Sequence, residues 1–290
     1  MAKLRIGISG WRYPPWRGRF YPEDLPQRLE LHYASRQLHT IEINGSFYSL
    51  QHPDSWHSWY RDTPRGFVFA VKAPRFITHI RRLRDVEKPV ANFFASGVLA
   101  LGEKLGPILW QFPPSLKYDH ALFDAFLSLL PKDSASALVM ARGHDQHIKH
   151  VDDLTPNRNH RLRHAVEIRH DSFKNPAFIQ LLRKHRAALV ISDAATKWPK
   201  LQDLTGGFVY MRLHGDKVLY SSGYTDAALD DWARRIRAWM KGGQPRDARD
   251  RASSERPPAR KSRDVYCYFD NDTKVKAPFD AMKLGDRFRR

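Results

Sequence analysis

The sequence has one cysteine among its 290 residues and no long apolar run. The single cysteine, Cys267, excludes an internal disulfide framework and a cysteine-rich zinc site. No segment approaches the roughly 20 consecutive apolar residues that a membrane span needs. The opening MAKLRIGISG differs from a signal peptide because strand-forming residues begin at once. We therefore expect a cytoplasmic protein with no membrane association.

Acidic residues are scarce relative to basic ones. The chain has 31 Asp and Glu against 49 Lys and Arg, which gives a formal net charge of +18. Such a charge attracts anions over long distances, so the expected partners are an anionic small molecule or nucleic acid. Hydrophobic residues make up 42% of the chain and aromatic residues 12%, which indicates a globular protein and excludes a disordered one.

Short apolar runs recur along the chain, with helix-like segments between most of them, and seven of the runs end in a charged or amide residue. This pattern is typical of an α/β fold, and 290 residues suit a single (β/α)8 TIM-type barrel that spans 1–290. The predicted strands are 4–9, 40–44, 67–73, 108–112, 165–169, 188–192, 208–213 and 265–271. The clearest predicted helices are 27–38, 90–105, 119–130, 225–242 and 277–287.

Two segments lack this regular pattern. Residues 141–163 are polar and contain four histidines, but their spacing matches no metal-binding motif, so we interpret the segment as a solvated loop. Residues 242–264 contain no large apolar side chain until the next strand begins. They predict a mobile basic insertion that the barrel core does not need.

The strand ends define a candidate site. Side chains alternate along a strand, and the helix-facing side must be apolar, so Ile41 and Ile43 turn outward and Glu42 turns inward. The same reasoning, applied to each strand, predicts one inward cluster of polar residues at the carboxyl ends: Glu42, Asn44, Lys72, Gln111, Glu167, Arg169, Asp193, Arg212, His214 and Asp270. The cluster could be a salt-bridge network that only supports the barrel. Its location at one end favours a functional site, because barrel enzymes work at that face.

Aromatic residues are concentrated in the first two loops: Trp11, Tyr13, Trp16, Phe20, Tyr21, Phe47 and Tyr48. With the basic charge they could stack against a base or a sugar. A packed lid over the barrel mouth is the interpretation we favour for most of them. Trp11 follows Gly10 at the end of the first strand, so it is the best candidate for a ligand contact.

Six strings together resemble the YecE-like family, known as domain of unknown function 72: GISGWRYPPWRGRFYP, TIEINGSFY, KLGPILWQFPPS, HAVEIRH, YMRLHG and YFDND. The resemblance runs from Ile6 to about Ala281, and it implies a TIM-type barrel without implying a reaction. Two positions depart from the family pattern, which usually has serine at Gly45 and tryptophan at Phe173. The residues that the resemblance carries over by position are Gly10, Trp11, Glu42, Asn44, Phe47, Tyr48, Lys72, Thr78, His79, Gln111, Glu167, Arg169, His170, Arg212, His214, Gly215, Tyr224 and Asn271.

The residue types in the cluster suggest roles. Arginine offers bidentate recognition of carboxylate or phosphate, so a pocket with Lys72, Arg169 and Arg212 favours an anionic substrate. Glu42 and Glu167 beside these cations would be ionised and available for acid–base catalysis. His214 would either transfer a proton or orient Arg212 as a neutral ring. The residues predicted to bind substrate are Trp11, Asn44, Lys72, Gln111, Arg169, Arg212, Asp270 and Asn271.

Our leading hypothesis is an enzyme, of hydrolase or isomerase type, that acts on a phosphorylated or nucleic-acid-derived substrate. The pattern does not identify a cofactor. The main alternative is a non-catalytic nucleic-acid-binding protein. A metal-dependent barrel hydrolase or isomerase comes third, because the cations among the carboxylates would repel a divalent ion, and the prediction includes no metal ligand. A glycosidase that uses Glu42 and Glu167 as its carboxylate pair is a further option.

Overall fold

The computed structural model describes residues 1–152, 158–272 and 274–289. Eight parallel strands pair in chain order and close into a barrel. The strands are β1 (Leu4–Ser9), β2 (Thr40–Ile43), β3 (Val68–Lys72), β4 (Leu105–Gln111), β5 (Arg163–Glu167), β6 (Ala188–Asp193), β7 (Phe208–Leu213) and β8 (Asp264–Phe269). The predicted (β/α)8 barrel is therefore confirmed, and the predicted strand ends differ from these by at most three residues.

Helices cover the outside of the barrel. They are α1 (Glu30–Gln37), α2 (Gly45–Tyr48), α3 (Pro53–Asp62), α4 (Glu87–Ala95), α5 (His120–Leu129), α6 (Ser134–Ala141), α7 (Pro176–His185), α8 (Asp226–Met240) and α9 (Ala277–Asp286). Several begin at a side-chain cap, as at Asp119 and Thr225, whose oxygens accept backbone N–H groups of the first turn. An irregular loop, 194–207, joins β6 to β7. None of the helices in the described ranges is long and apolar enough to cross a membrane.

Two separate apolar layers confirm the alternation on which the predicted cluster depends. Ile41, Ile43, Met211 and Leu213 belong to the layer between the strands and the helices. A smaller layer fills the barrel interior and is built from Ala70, Leu109, Ala165, Ala188, Val190, Phe208, Tyr210, Tyr266 and Tyr268. Because large side chains close the middle of the barrel, any polar site must lie at one of its ends.

The first loop after β1 is an aromatic layer whose rings are packed as predicted, but Trp16, Phe20 and Tyr21 join the helix-facing layer. A lid over the barrel mouth stays a prediction. The ring of Trp16 is fully buried, 5.6 Å from Phe20 and 6.1 Å from Tyr21 between centroids. The Tyr21 hydroxyl donates to the backbone oxygen of Trp11 at 2.7 Å. Gly10 begins this loop with a φ of +80°, a conformation that L side chains rarely adopt, and so allows the chain to turn directly after the strand. Tyr48 differs from the others because it is largely exposed.

The two irregular segments contact the barrel. In the histidine-rich segment the His150 ring lies 4.4 Å from the His52 ring, and residues 153–157 lie outside the described residues. The 242–264 insertion, predicted to be mobile, contains no helix or strand before β8, but the buried Asp203 carboxylate accepts from the backbone N–H groups of Ala252 and Ser253 at 2.8 and 3.1 Å. These hydrogen bonds hold the middle of the insertion against the 194–207 loop.

Candidate functional site at the carboxyl ends of the strands

The site is built around one buried arginine. Arg212 lies on β7 and its side chain is only 1% exposed. Its guanidinium donates to Glu42 Oε1 and Asp270 Oδ2 at 2.9 Å each, to Glu167 Oε2 at 3.0 Å and to Ser9 Oγ at 3.1 Å. Three carboxylates from three strand ends therefore share one cation, and each of the three guanidinium nitrogens already donates to a protein group. We call Arg212, Glu42, Glu167 and Asp270 the central cluster.

Glu42 is completely buried and all its neighbours are protein groups. It accepts from the Tyr210 hydroxyl at 2.5 Å, from the Ser9 hydroxyl and twice from Arg212. Tyr210 reaches it because β7 residues two apart point to the same side, so Tyr210 and Arg212 both face the interior. With both oxygens engaged at 0% exposure, Glu42 is placed to orient Arg212 rather than to meet a ligand.

Glu167 is also fully buried but lies closer to the mouth. Its Oε2 accepts from Gln111 Nε2 at 2.8 Å, and its Oε1 accepts from Arg169 at 3.3 Å. Burial alone would raise the pKa of this carboxyl, but the positive charges of Arg212 and Arg169 outweigh it and hold the pKa well below its usual range. Glu167 is therefore a permanent anion at neutral pH.

His214 and Asp270 directly follow the neighbouring strands β7 and β8. Burial opposes ionisation of Asp270, but Arg212 outweighs it and lowers the pKa to about 2. His214 Nδ1 lies 2.9 Å from Asp270 Oδ2, yet neither ring nitrogen has a well-directed hydrogen bond to a described residue. The fully buried His214 ring packs against Trp198 and Tyr220, with centroids 5.8 and 5.4 Å apart. Two residues beyond Asp270, burial and the Asp270 charge raise the pKa of Asp272 to about 6.

Lys72, at the end of β3, differs from the other cations in the site. Its side chain is buried, with 8% of the residue exposed, and its Nζ lies 4.0 Å from the centre of the Phe47 ring. No hydrogen bond or ion pair to a described residue uses that Nζ. Burial and the positive charge of Arg212 lower its pKa to about 8. His79 packs on the same Phe47 ring, and burial together with the charges of Lys72 and Arg169 lowers its pKa to about 4, so the ring is neutral at pH 7.

Most of the predicted site residues come together here. The central cluster is surrounded by Gln111, Arg169, His214 and Lys72, and Asn44 joins it through a 3.2 Å hydrogen bond from its Nδ2 to Ser9 Oγ. The Oδ1 of Asn44 has no hydrogen-bond partner in the described part of the chain. The predicted catalytic and binding roles of these residues stay predictions.

The structure places three of the predicted residues elsewhere. Asp193 shares the helix-facing side of β6 with Leu189 and Ile191, because residues two apart on a strand share a face. The prediction that Asp193 faces the barrel interior is therefore wrong. Its carboxylate accepts from Lys200 Nζ at 2.8 Å and from the Tyr224 hydroxyl at 3.1 Å.

Asn271 and Trp11 also lie outside the cluster. The Asn271 amide donates to Asp280 at 2.8 Å and to the Ser222 backbone oxygen at 2.9 Å, so it ties α9 and the loop after β7 to the end of β8. Trp11 lies in the helix-facing layer, 6% exposed, with its ring 5.4 Å from that of Trp59 on α3. Their predicted ligand contacts find no support in these positions.

Four residues of the site were not predicted: Ser9, Tyr210, Trp198 and Tyr220. Strand alternation could have predicted the first two as inward-facing residues, because Ser9 ends β1 and Tyr210 precedes Arg212 by two residues. Trp198 and Tyr220 come from irregular loops, where the sequence offers no period to follow. Trp198 matters because the Arg169 guanidinium lies 3.8 Å from its ring centre, a cation–π contact that holds Arg169 at the mouth.

A groove of about 1370 Å³ opens beside Arg169 and Trp198. Its other walls are the 194–207 loop, α8 and the middle of the insertion. Several of its cations are paired, such as Lys200 with Asp193 and Arg235 with Asp231. Lys197, Arg249 and Arg251 also line the groove, and none of them has an ion pair with a described residue. The groove thus extends the site away from the barrel axis.

The carboxylates and histidines at the mouth are not arranged as a set of metal ligands within the described residues. In the parts of the chain that the structure describes, no group of three or more His, Cys, Asp or Glu side chains is arranged to hold a metal ion. In the central cluster the arginine already occupies the point at which the three carboxylates meet.

The closed barrel and the charged cluster at its carboxyl end define a (β/α)8 barrel protein with a polar site at the usual face of that fold. A family model described as "Protein of unknown function DUF72" matches residues 5–290. The chain therefore belongs to the DUF72 family, which confirms the resemblance found in the sequence.

Individual relatives agree with this membership. The UPF0759 protein YunF of Bacillus subtilis (strain 168) is 28% identical over 116 residues, a match that covers 38% of this chain and 40% of that protein. A DUF72 family protein from Thermotoga maritima has a similar structure, with a TM-score of 0.72 at 21% identity and 98% of both chains covered. A second, from Enterococcus faecalis V583, gives a TM-score of 0.68 at 16% identity, covering 98% of this chain and 94% of that one. At these identities the solved structures show the fold alone.

Proposed function

We propose that this chain is an enzyme that binds a phosphorylated or nucleic-acid-derived anion at the barrel mouth, with Lys72 as its proton-transfer group and Arg169 as its anion-binding group. The observation that supports it is Lys72, of which only 8% is exposed and whose Nζ has no hydrogen bond or ion pair to a described residue. An ammonium group with so little access to water is costly without a partner, and an anionic ligand would supply one. A pKa of about 8 lets Lys72 gain and lose a proton near neutral pH.

The other charges at the mouth support this division of roles. Arg212 and Glu42 are occupied by protein groups on every side, so they hold the site together. Arg169 uses its Nε and Nη2 toward Glu167 and lies on the Trp198 ring beside the open groove. Its remaining Nη1 is available to an anion, and a guanidinium suits phosphate and carboxylate. The predicted acid–base role therefore moves in this proposal from Glu42 and Glu167 to Lys72.

Replacing Lys72 tests the proposal directly. The variant Lys72→Met keeps the volume and removes the charge, and we expect the affinity for inorganic phosphate and for adenosine 5′-monophosphate to fall at least about tenfold, equal to about 1.4 kcal/mol. Isothermal titration calorimetry measures both. The control is Lys132→Met, which removes the same charge from an exposed position outside the strand-end site. Unchanged phosphate affinity in a folded Lys72→Met protein would refute the proposal.

A nucleic-acid-binding function is the second candidate, favoured by the unpaired cations of the groove. If a single strand of DNA lay along it, Arg249 and Arg251 would contact phosphates, and each contact releases counterions. We then expect the double variant Arg249→Gln/Arg251→Gln to reduce the slope of log Kd against log salt by about 2. Fluorescence anisotropy with a short oligonucleotide checks this. The matched control, Arg142→Gln/Lys132→Gln, removes two exposed charges elsewhere, and an equal effect of both pairs would contradict a specific groove.

A further inference from the structure

We propose that Lys72 is a nucleophilic amine that forms an imine with a 2-oxo carboxylic acid bound at the barrel mouth. This inference rests on the proposed function for the site, its Lys72 and its anion-binding Arg169. It differs in giving Lys72 a covalent role and in naming a carboxylate, in place of a phosphate, as the anion.

The geometry of Lys72 is best judged against the other fully embedded lysine. Lys104 is 4% exposed, and its Nζ donates to the Tyr60 and Thr63 backbone oxygens at 2.6 and 2.7 Å and to Thr63 Oγ1 at 3.1 Å. A lysine with a structural role thus uses all three of its hydrogen-bond donors. Lys72 is almost as buried, but its Nζ lies over the face of Phe47 and makes no hydrogen bond to a described residue. Its amine is therefore held in place and left open to a reactant.

The protonation of Lys72 also suits a nucleophile. A free lysine amine is almost entirely protonated at neutral pH, and the protonated form cannot attack a carbonyl carbon. Burial and the nearby Arg212 charge lower the pKa of Lys72 to about 8. Roughly one molecule in ten then carries a neutral amine at pH 7, against fewer than about one in a thousand for an exposed lysine.

The covalent step needs no co-reactant. The Lys72 nitrogen lone pair forms a bond to the carbonyl carbon, and one N–H proton passes to the carbonyl oxygen to give a carbinolamine. Loss of the hydroxyl group with the second N–H proton releases water and leaves the C=N bond, with no change of oxidation state. A protonated imine places a positive charge where the ammonium stood, so the charges of Glu42, Glu167 and Asp270, which favour protonated Lys72, favour it too.

The anionic group of the substrate selects a 2-oxo acid. Arg169 lies at the mouth, stacked on Trp198, with a guanidinium edge that Glu167 does not use. A guanidinium recognises a planar carboxylate in a bidentate manner. The charges of Arg169 and Lys72 both act on His79 and on Glu167, so the two cations lie in the same part of the mouth. A 2-oxo acid, with its carboxylate and carbonyl on adjacent carbons, would use both. The neutral His79 packs on the same Phe47 ring as Lys72 and offers this region an uncharged polar side chain.

Reductive trapping tests the inference. The full chain is incubated with pyruvate and sodium cyanoborohydride at pH 7, and the modified lysine is located by peptide mass spectrometry. We expect Lys72 to be modified at least about tenfold faster than the exposed Lys132 and the hydrogen-bonded Lys104, with a rate that rises up to about pH 8 and then levels off. Lys72→Arg keeps a cation and should abolish this modification while leaving that of Lys132 unchanged.

The outcomes separate this inference from the proposed function. Modification of Lys72 no faster than that of Lys132 overturns imine formation. If phosphate binding still weakens in Lys72→Met, the proposed anion-binding enzyme stands without the imine. Fast, selective modification of Lys72 supports the inference even where phosphate affinity is unchanged, and it then assigns a carbonyl acid, not a phosphate ester, to the site.

Discussion

Replacing Arg212 by methionine is expected to lower the free energy of unfolding by about 3–5 kcal/mol, because the substitution leaves buried carboxylates without their shared cation. Glu42 and Glu167 are both fully buried, and Asp270 is nearly so. Removing one partner of a buried ion pair costs far more than the net contribution of the pair, since the remaining charge is neither solvated nor compensated. Urea denaturation at pH 7 measures the loss as a shift of the midpoint at constant slope.

A matched arginine at the other end of the barrel provides the control. Arg163 begins β5 and pairs with Asp264 at 2.9 Å, but its side chain is 35% exposed. Because water screens a pair of this kind, Arg163→Met should cost no more than about 1 kcal/mol. Equal losses in the two variants would mean that the central cluster does not depend on Arg212. Adding Glu42→Gln to Arg212→Met should recover part of the stability, because it removes one of the uncompensated charges.

This expected result bears on how the site works. If Arg212 stabilises the barrel as strongly as its contacts indicate, then the central cluster is a fixed scaffold of opposite charges. The groups that can respond to a ligand are those around it, namely Lys72, Arg169 and His214. The two interpretations of the polar cluster would then apply to different residues: the salt-bridge network to the central cluster, and the proposed functional site to the groups around it.

The sequence was sufficient for the barrel and for most of the cluster. Apolar runs of strand length predicted all eight strands. The alternation of side chains placed Glu42, Glu167 and Arg212 on the inner side, because a strand has only two faces and one of them must meet the helices. The same rule, correctly applied to Leu189 and Ile191, puts Asp193 on the helix side. The alternation pattern was therefore right for Asp193, and our prediction of an inward side chain did not follow it.

Other features depend on the folded structure and have no local signal. The isolation of Lys72 arises because Arg212 takes all three carboxylates, a competition that only distances show. Trp198 reaches Arg169 from a loop without periodicity. The composition of the insertion gives no sign that its backbone N–H groups bind the buried Asp203, about 50 residues away in the sequence. Contacts between irregular segments cannot be inferred from a two- or 3.6-residue period.

The response of stability to acid should differ in sign between the natural protein and Arg212→Met. In the natural protein the pKa values of Glu167 and Asp270 lie below those of the unfolded chain, that of Asp270 at about 2. Their stabilising effect is fully present above about pH 4 and is lost as the pH falls through the folded-state values, because the unfolded chain then binds more protons. Asp270 alone accounts for about 2 kcal/mol of this loss.

Without Arg212 the same carboxylates lose the main positive charge that opposes their burial, so their pKa values should rise above those of the unfolded chain. The folded variant then binds more protons than the unfolded one, and its stability should increase as the pH falls from 7 toward about 5. Urea denaturation in steps from pH 7 to pH 3 measures the free energy of unfolding of both proteins. The difference between the two profiles removes the contribution of surface carboxylates such as Asp124 and Asp145, because the substitution leaves them unchanged. The stability gap between the two proteins should therefore narrow as acid is added. A gap that stays constant with pH would show that Arg212 does not hold these carboxylates ionised.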